Sequence, residues 1–170
     1  MTIRASIIGP STGDTVSSTE TASSAETVRL GPAIIRILED GATTGHRISI
    51  VEITLAPRSE GPPQHRHAQH DEGFYVVSGT GRFTIGADSH DAPPGTLAMI
   101  PPGAPHTFAN PGDSPLVLVN TFTPDLYVQY FRDLQALAAH GTMPSPEETA
   151  EVMRRYATEV ADTYAAIPHH

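Results

Sequence analysis

The chain has 170 residues, with ten arginines and no lysine against nineteen aspartates and glutamates, a formal charge of -9 and no cysteine. The length fits one domain able to bury a core, the missing cysteines exclude disulfides and thiolate metal ligands, and the acidity without a basic block argues against nucleic-acid binding. The N-terminal stretch MTIRASIIGPSTGD lacks an apolar core and no segment approaches the length of a membrane span, so the sequence reads as soluble and cytoplasmic.

Residues 1–27 are Ser- and Thr-rich and read as a flexible arm. Val28 to Glu39 reads as two short strands split by Gly31-Pro32, Asp40 to Gly45 as a turn, and His46 to Leu55 as a strand rich in Ile, Val and Thr. A proline-rich connection, Pro57 to Pro63, leads to a histidine cluster. Strands are then expected at Glu72 to Ser78, Arg82 to Ile85, Leu97 to Ile100, His106 to Asn110 and Leu116 to Thr123, each bounded by Gly, Pro or Asn. So many short strands with tight turns indicate an all-β sandwich or barrel.

After Thr123 the pattern changes. Thr123-Pro124 resembles a helix start, and Tyr127, Tyr130, Phe131, Leu134, Leu137 and Ala138 recur at helical spacing, with Gly141 placed to close the helix. Ser145-Pro146-Glu147-Glu148 has the spacing of a capping box. It opens a second helix whose apolar face runs through Val152, Met153, Tyr156, Val160 and Tyr164. The expected organisation is a barrel over 28–123 and a C-terminal helical hairpin over 124–167, packed on the barrel or on a partner. His169-His170 reads as an exposed tail.

The chemistry concentrates in HRHAQHDEGFYVVSG, His65 to Gly79. His65 and His67 are two apart, so on a strand they share a face and can chelate one ion. Glu72 opens the next strand and can turn into the same interior; its competing role is a salt bridge with Arg66. His70 and Asp71 fall in the intervening turn, where side chains meet water. A distant candidate ligand is His106, placed after the rigid Pro101-Pro102-Gly103-Ala104-Pro105, with Phe108 and Asn110 on its face.

These residues resemble the cupin motifs. His65, His67, Glu72 and Gly79 stand at the spacing of the first, and Gly95, Pro101, Gly103, His106 and Asn110 at that of the second, although Gly61 stands closer to His65 than the leading glycine usually does. The resemblance implies an all-β double-stranded β-helix, or jelly-roll barrel. It also implies a divalent transition metal (Fe, Mn, Ni, Co or Zn) on His65, His67, Glu72 and His106. Three imidazoles and one carboxylate suit those ions and leave coordination positions for substrate. Among small cupins the pattern is similar to quercetinase-type dioxygenases, which implies an oxidoreductase acting on an enol or flavonol-like substrate. Glu72 would then act as ligand and catalytic base, and Phe74, Val76, Met99 and Phe108 would line an apolar pocket. The competing expectations are a metal-dependent isomerase, cyclase or decarboxylase that works without oxygen, and a small-ligand-binding cupin without turnover. The resemblance further implies a homodimer, with Val28 to Leu38 as the pairing strands.

Overall fold

A computed structural model describes residues 25–138 and 144–161. Most of the expected N-terminal arm, Gly141, Tyr164 and the terminal histidines lie outside the described residues.

The order along the chain is β1 (Glu26–Leu30), β2 (Ala33–Glu39), β3 (Ser49–Leu55), β4 (Ser59–Glu60), β5 (His65–His67), β6 (Asp71–Ser78), β7 (Gly81–Ile85), β8 (Asp88–Ala92), β9 (Leu97–Ile100), β10 (His106–Asn110), β11 (Leu116–Thr123), α1 (Val128–Ala138), α2 (Pro146–Arg155) and β12 (Thr158–Val160). The strands form two six-stranded sheets. One runs β1-β2-β3-β11-β6-β9; the other runs β12-β5-β10-β7-β8, with β4 also paired to β10. All pairings are antiparallel. This is the jelly roll expected from the sequence, two sheets facing each other around one interior.

Period-two alternation sets that interior. In β3, Ser49, Val51, Ile53 and Leu55 are buried; in β11, Leu116, Leu118, Asn120 and Phe122 are. The far half of the core is aromatic, with Phe74 5.3 Å from both Phe83 and Phe108, ring centre to ring centre. Burying each such ring stabilises the fold by about 1.5–3 kcal/mol. Turn chemistry closes the ends. Gly79 sits at φ +78°, and a Cβ there would come 2.7 Å from the Pro115 carbonyl oxygen. At Gly61 an added Cβ would stand 2.2 Å from the Phe108 oxygen, so only glycine lets this loop hydrogen-bond to β10. Asn110 clasps the following turn, its Nδ2 donating to the carbonyls of Leu55, Ala56 and Ser114.

Several expectations need correction. The strand expected from His46 begins at Ser49, because Thr44 and His46 bond back to the Gly41 carbonyl and prolong the turn. The strands β4 and β8 were not anticipated; Asp88–Ala92 is almost wholly polar and exposed, an edge strand without an apolar face. Met99 does not line the interior: it is 57% exposed on the outer face of β9, while Ala98 and Ile100 point inward. The first helix starts at Val128, after a turn in which Leu126 bonds to the Pro124 carbonyl. The second begins where expected, at a complete Ser145–Glu148 capping box, but stops at Arg155. Ala157 takes φ +50°, which breaks the helix, and the chain re-enters the sheet as β12 beside β5. The C-terminal segment is therefore a helical pair followed by a strand of the barrel.

Candidate metal centre

The barrel brings His65, His67, Glu72 and His106 together from both sheets. His65 and His67 occupy alternate positions of β5, both buried, and His106 lies directly opposite His65 across the β5–β10 ladder. Glu72 faces them from β6 in the other sheet. One potential donor atom from each residue lies within 4.8 Å of the others. All four side chains are at most 3% exposed.

Each imidazole is anchored at Nδ1, which directs Nε2 inward. The Nδ1 atoms of His65 and His106 face the carbonyls of Pro63 at 2.9 Å and Ala104 at 3.0 Å. That of His67 lies 2.7 Å from Thr158 Oγ1, whose own hydroxyl donates to the Tyr156 carbonyl. The Nε2 atoms of His67 and His106 then converge on Glu72 Oε2 at 2.9 and 2.8 Å. The second oxygen, Oε1, accepts from Asn120 Nδ2 at 3.0 Å. Anchored Nδ1 atoms with Nε2 aimed at a common point are how proteins orient histidine ligands. Three nitrogens and one oxygen suit a divalent transition ion, so these four residues fit a metal and could hold one.

The electrostatics are those of a buried carboxylate among imidazoles. Burial disfavours the Glu72 charge, but hydrogen bonds from His106 and His67 outweigh it and hold the carboxyl well below its usual range. Burial, followed by the neighbouring His106, pushes the His65 imidazole down to about 3. For His106 burial acts downward too, yet the hydrogen bond to Glu72 prevails and raises it.

The alternative partner for Glu72 is occupied elsewhere, since Arg66 pairs with Glu159 on the outer side of β12. His70 is the sharpest departure from expectation. It is 1% exposed, its ring stacked over His67 with centroids 4.1 Å apart and flanked by Tyr127 at 5.4 Å and Phe122 at 5.6 Å. Burial and the adjacent His67 push it down to about 4. Three further residues at the centre were missed: Asn120, Tyr127 and Thr158. Asn120 had a signal, a lone amide at an inward position of the apolar run LVLVNTFT. Beside His67 a cleft of about 510 Å³ opens between Pro101 to Ala104, Arg154, Thr158 and Glu159.

Residues 51–122 match the family model described as a cupin domain. Among curated proteins, the mannose-1-phosphate guanylyltransferase ManC of Salmonella typhimurium is 35% identical over 80 residues, which is 47% of this chain and only 16% of that protein's length. Among solved structures, a sugar phosphate isomerase of the cupin superfamily from Silicibacter pomeroyi superposes with a TM-score of 0.50 at 24% identity, over 55% of this chain and 60% of that one. KdgF from a Halomonas species gives 0.52 at 17% identity, over 58% of this chain and 86% of that one. At these identities the likeness is one of fold. The two sheets and their topology agree with these neighbours in fold: the chain forms a jelly-roll barrel of the cupin fold, residues 51–122 resemble a cupin domain, and three histidines and a glutamate gather inside it.

Proposed function

We propose that this cupin is a metal-dependent enzyme, an oxidoreductase of dioxygenase type acting on a small, planar, enol or flavonol-like substrate. The observation that carries this reading is the lining of the interior. The ligand set is walled by Phe74, Phe108, Phe122 and Tyr127, and among the described residues no arginine or lysine is buried. A neutral aromatic enol meets these apolar walls, while Arg66 and Arg154 line the cleft beside His67.

His65, His67, Glu72 and His106 would hold the metal, which when bound supplies a Lewis-acidic centre with positions for substrate and oxygen. Glu72 is the catalytic base: Asn120 fixes Oε1, and Oε2 takes the hydroxyl proton of the substrate. Thr158 and the Pro63 and Ala104 carbonyls keep the imidazoles in orientation. The aromatic walls exclude water from the reacting atoms. With this reading go a barrel over 28–123, a C-terminal segment over 124–167 and assembly as a homodimer.

Elemental analysis and an oxygen electrode test it together. Untagged protein is expected to carry near-stoichiometric metal, His106→Ala to lose it, and the loaded protein to consume oxygen with a flavonol or related enol. Absence of metal after reconstitution overturns the reading. Product formed equally well without oxygen replaces it with Lewis-acid isomerase, cyclase or decarboxylase chemistry.

A further inference from the structure

Among the described residues, four buried side-chain atoms have no hydrogen-bond partner: Ser49 Oγ, both ring nitrogens of His70, and Asn120 Oδ1. They are not scattered. Ser49 is the register partner of Phe122 across β3 and β11, and Phe122 is that of Glu72 across β11 and β6. Asn120 lies two residues from Phe122 on the same face and binds Glu72, and His70 packs edge-on against Phe122. Every unsatisfied buried polar side-chain atom described thus belongs to one neighbourhood, around Phe122 and beside the four potential metal ligands.

Leaving polar atoms buried and unpaired is costly, and in native proteins each such group calls for a specific explanation. Packing does not explain them. An alanine at 49 and a phenylalanine at 70 would fill those positions without the penalty, and Asn120, held by the two bonds of its Nδ2, still leaves Oδ1 unpaired. A fifth metal ligand does not explain His70 either, because its nitrogens do not join the converging donor atoms. Its ring lies over the face of His67, tilted by 33°.

We propose that Ser49, His70 and Asn120 form a substrate-recognition subsite for the oxygens of a neutral hydroxy-ketone or enol placed at the metal centre. The proposal rests on the metal-site reading above. The donor pattern selects the class. Asn120 cannot flip, because its Nδ2 already donates to Glu72 Oε1 and to the Gly73 carbonyl. Its Oδ1 therefore requires a ligand that donates, which a hydroxyl does and a carboxylate or phosphate dianion does not. His70 and Ser49 each offer a donor and an acceptor to the remaining oxygens.

The test uses full-length cobalt-loaded protein and two probes read through the cobalt absorption bands. Maltol, a planar hydroxy-ketone, has oxygens for both the metal and the proposed subsite, and azide can engage the metal alone. His70→Phe and Ser49→Ala are expected to load cobalt normally and to unfold at the same or higher urea concentration, since each removes an unpaired polar group. His70→Phe should weaken maltol by about 10-fold and Ser49→Ala by about 3-fold, while azide is unaffected, and His70→Gln should recover part of the loss. Unchanged maltol affinity in both variants, or equal weakening of maltol and azide, overturns the subsite. Should His70→Phe fail to fold, the zinc-loaded wild type decides: maltol must shift the ¹⁵N resonances of His70, and unmoved resonances reject its role. Failure of cobalt to bind removes the subsite and the metal reading together. Normal maltol discrimination without oxygen uptake removes only the dioxygenase chemistry.

Discussion

The interior histidines make stability depend on pH in a direction that can be worked out. Burial holds the His65 imidazole at about 3 and that of His70 at about 4, whereas both titrate near 6.5 in the unfolded chain. Between those values the unfolded chain binds more protons than the folded one, so stability falls as pH drops below about 6.5. His106, raised through Glu72, acts oppositely: its contribution is present below 6.5 and lost as pH rises through its folded value. Glu72 is lowered, so its contribution is lost only at still more acid pH. The two depressed imidazoles are buried and outweigh the raised His106 together with the raised but exposed His46, whose pairing with Asp125 is screened by solvent. The urea midpoint of metal-free protein should therefore be lower at pH 5 than at pH 7.5, and His70→Phe should lessen the difference. A midpoint that is level or higher at pH 5 contradicts the assignment. The four candidate ligands were legible because chelation imposes spacing: two histidines on alternate strand positions, with a glutamate and a distant histidine at motif intervals. His70 was not, since a run of His, Gln and Asp between strands reads as a solvated turn. Its one available signal was parity, because His70 stands two residues before Glu72 and so shares its inward face.

At the level of elements, the C-terminal segment diverges most from its sequence pattern, and it does so next to the metal centre. Val152, Met153 and Tyr156 continue a helical face, and ATEV carries neither glycine nor proline to announce a break. The break comes from tertiary pairing. β12 forms backbone bonds with β5, Ala68 bonds to the Ala157 carbonyl, and Ala157 adopts the left-handed conformation that this turn requires. β12 thereby places Thr158 opposite His67, where its hydroxyl fixes the ring. A Thr158→Val protein keeps the shape and β-propensity of the strand but removes the acceptor of the Nδ1 proton. Metal affinity should fall by about 10-fold or more, the range measured for lost partners of histidine ligands, while Thr158→Ser should retain it. Competition with a chromogenic chelator gives the constants. If valine binds metal as tightly as threonine, β12 merely completes the sheet and does not position the ligand.

For the whole molecule, the first sheet is apolar on both faces. The inner side chains of β11 fill the core. Its outer Val117 and Val119 continue into Tyr75 and Val77 of β6 and Leu97 and Met99 of β9, the last four between 47% and 61% exposed. Strands apolar on both sides are characteristic of sheets covered on both sides. Among the described residues the helices pack elsewhere, α1 against β1 and against the Phe122 end of the interior. On this outer face Arg36 and Glu52 bond to each other across β2 and β3. A surface of this kind complements itself under a two-fold axis, which is how most homodimers close, and its apolar side chains would drive the pairing. We propose the outer face of β6 and β9 as an interface for the homodimer expected from the sequence, alongside the Val28 to Leu38 strands that the sequence offers. Light scattering should give the mass of two chains. Leu97→Asp combined with Met99→Asp should give one chain with unchanged metal content, because both side chains lie on the outer face of β9, opposite to the face that Glu72 shares with Ile100. A wild-type monomer, or a double variant that stays dimeric, would leave this face without that role.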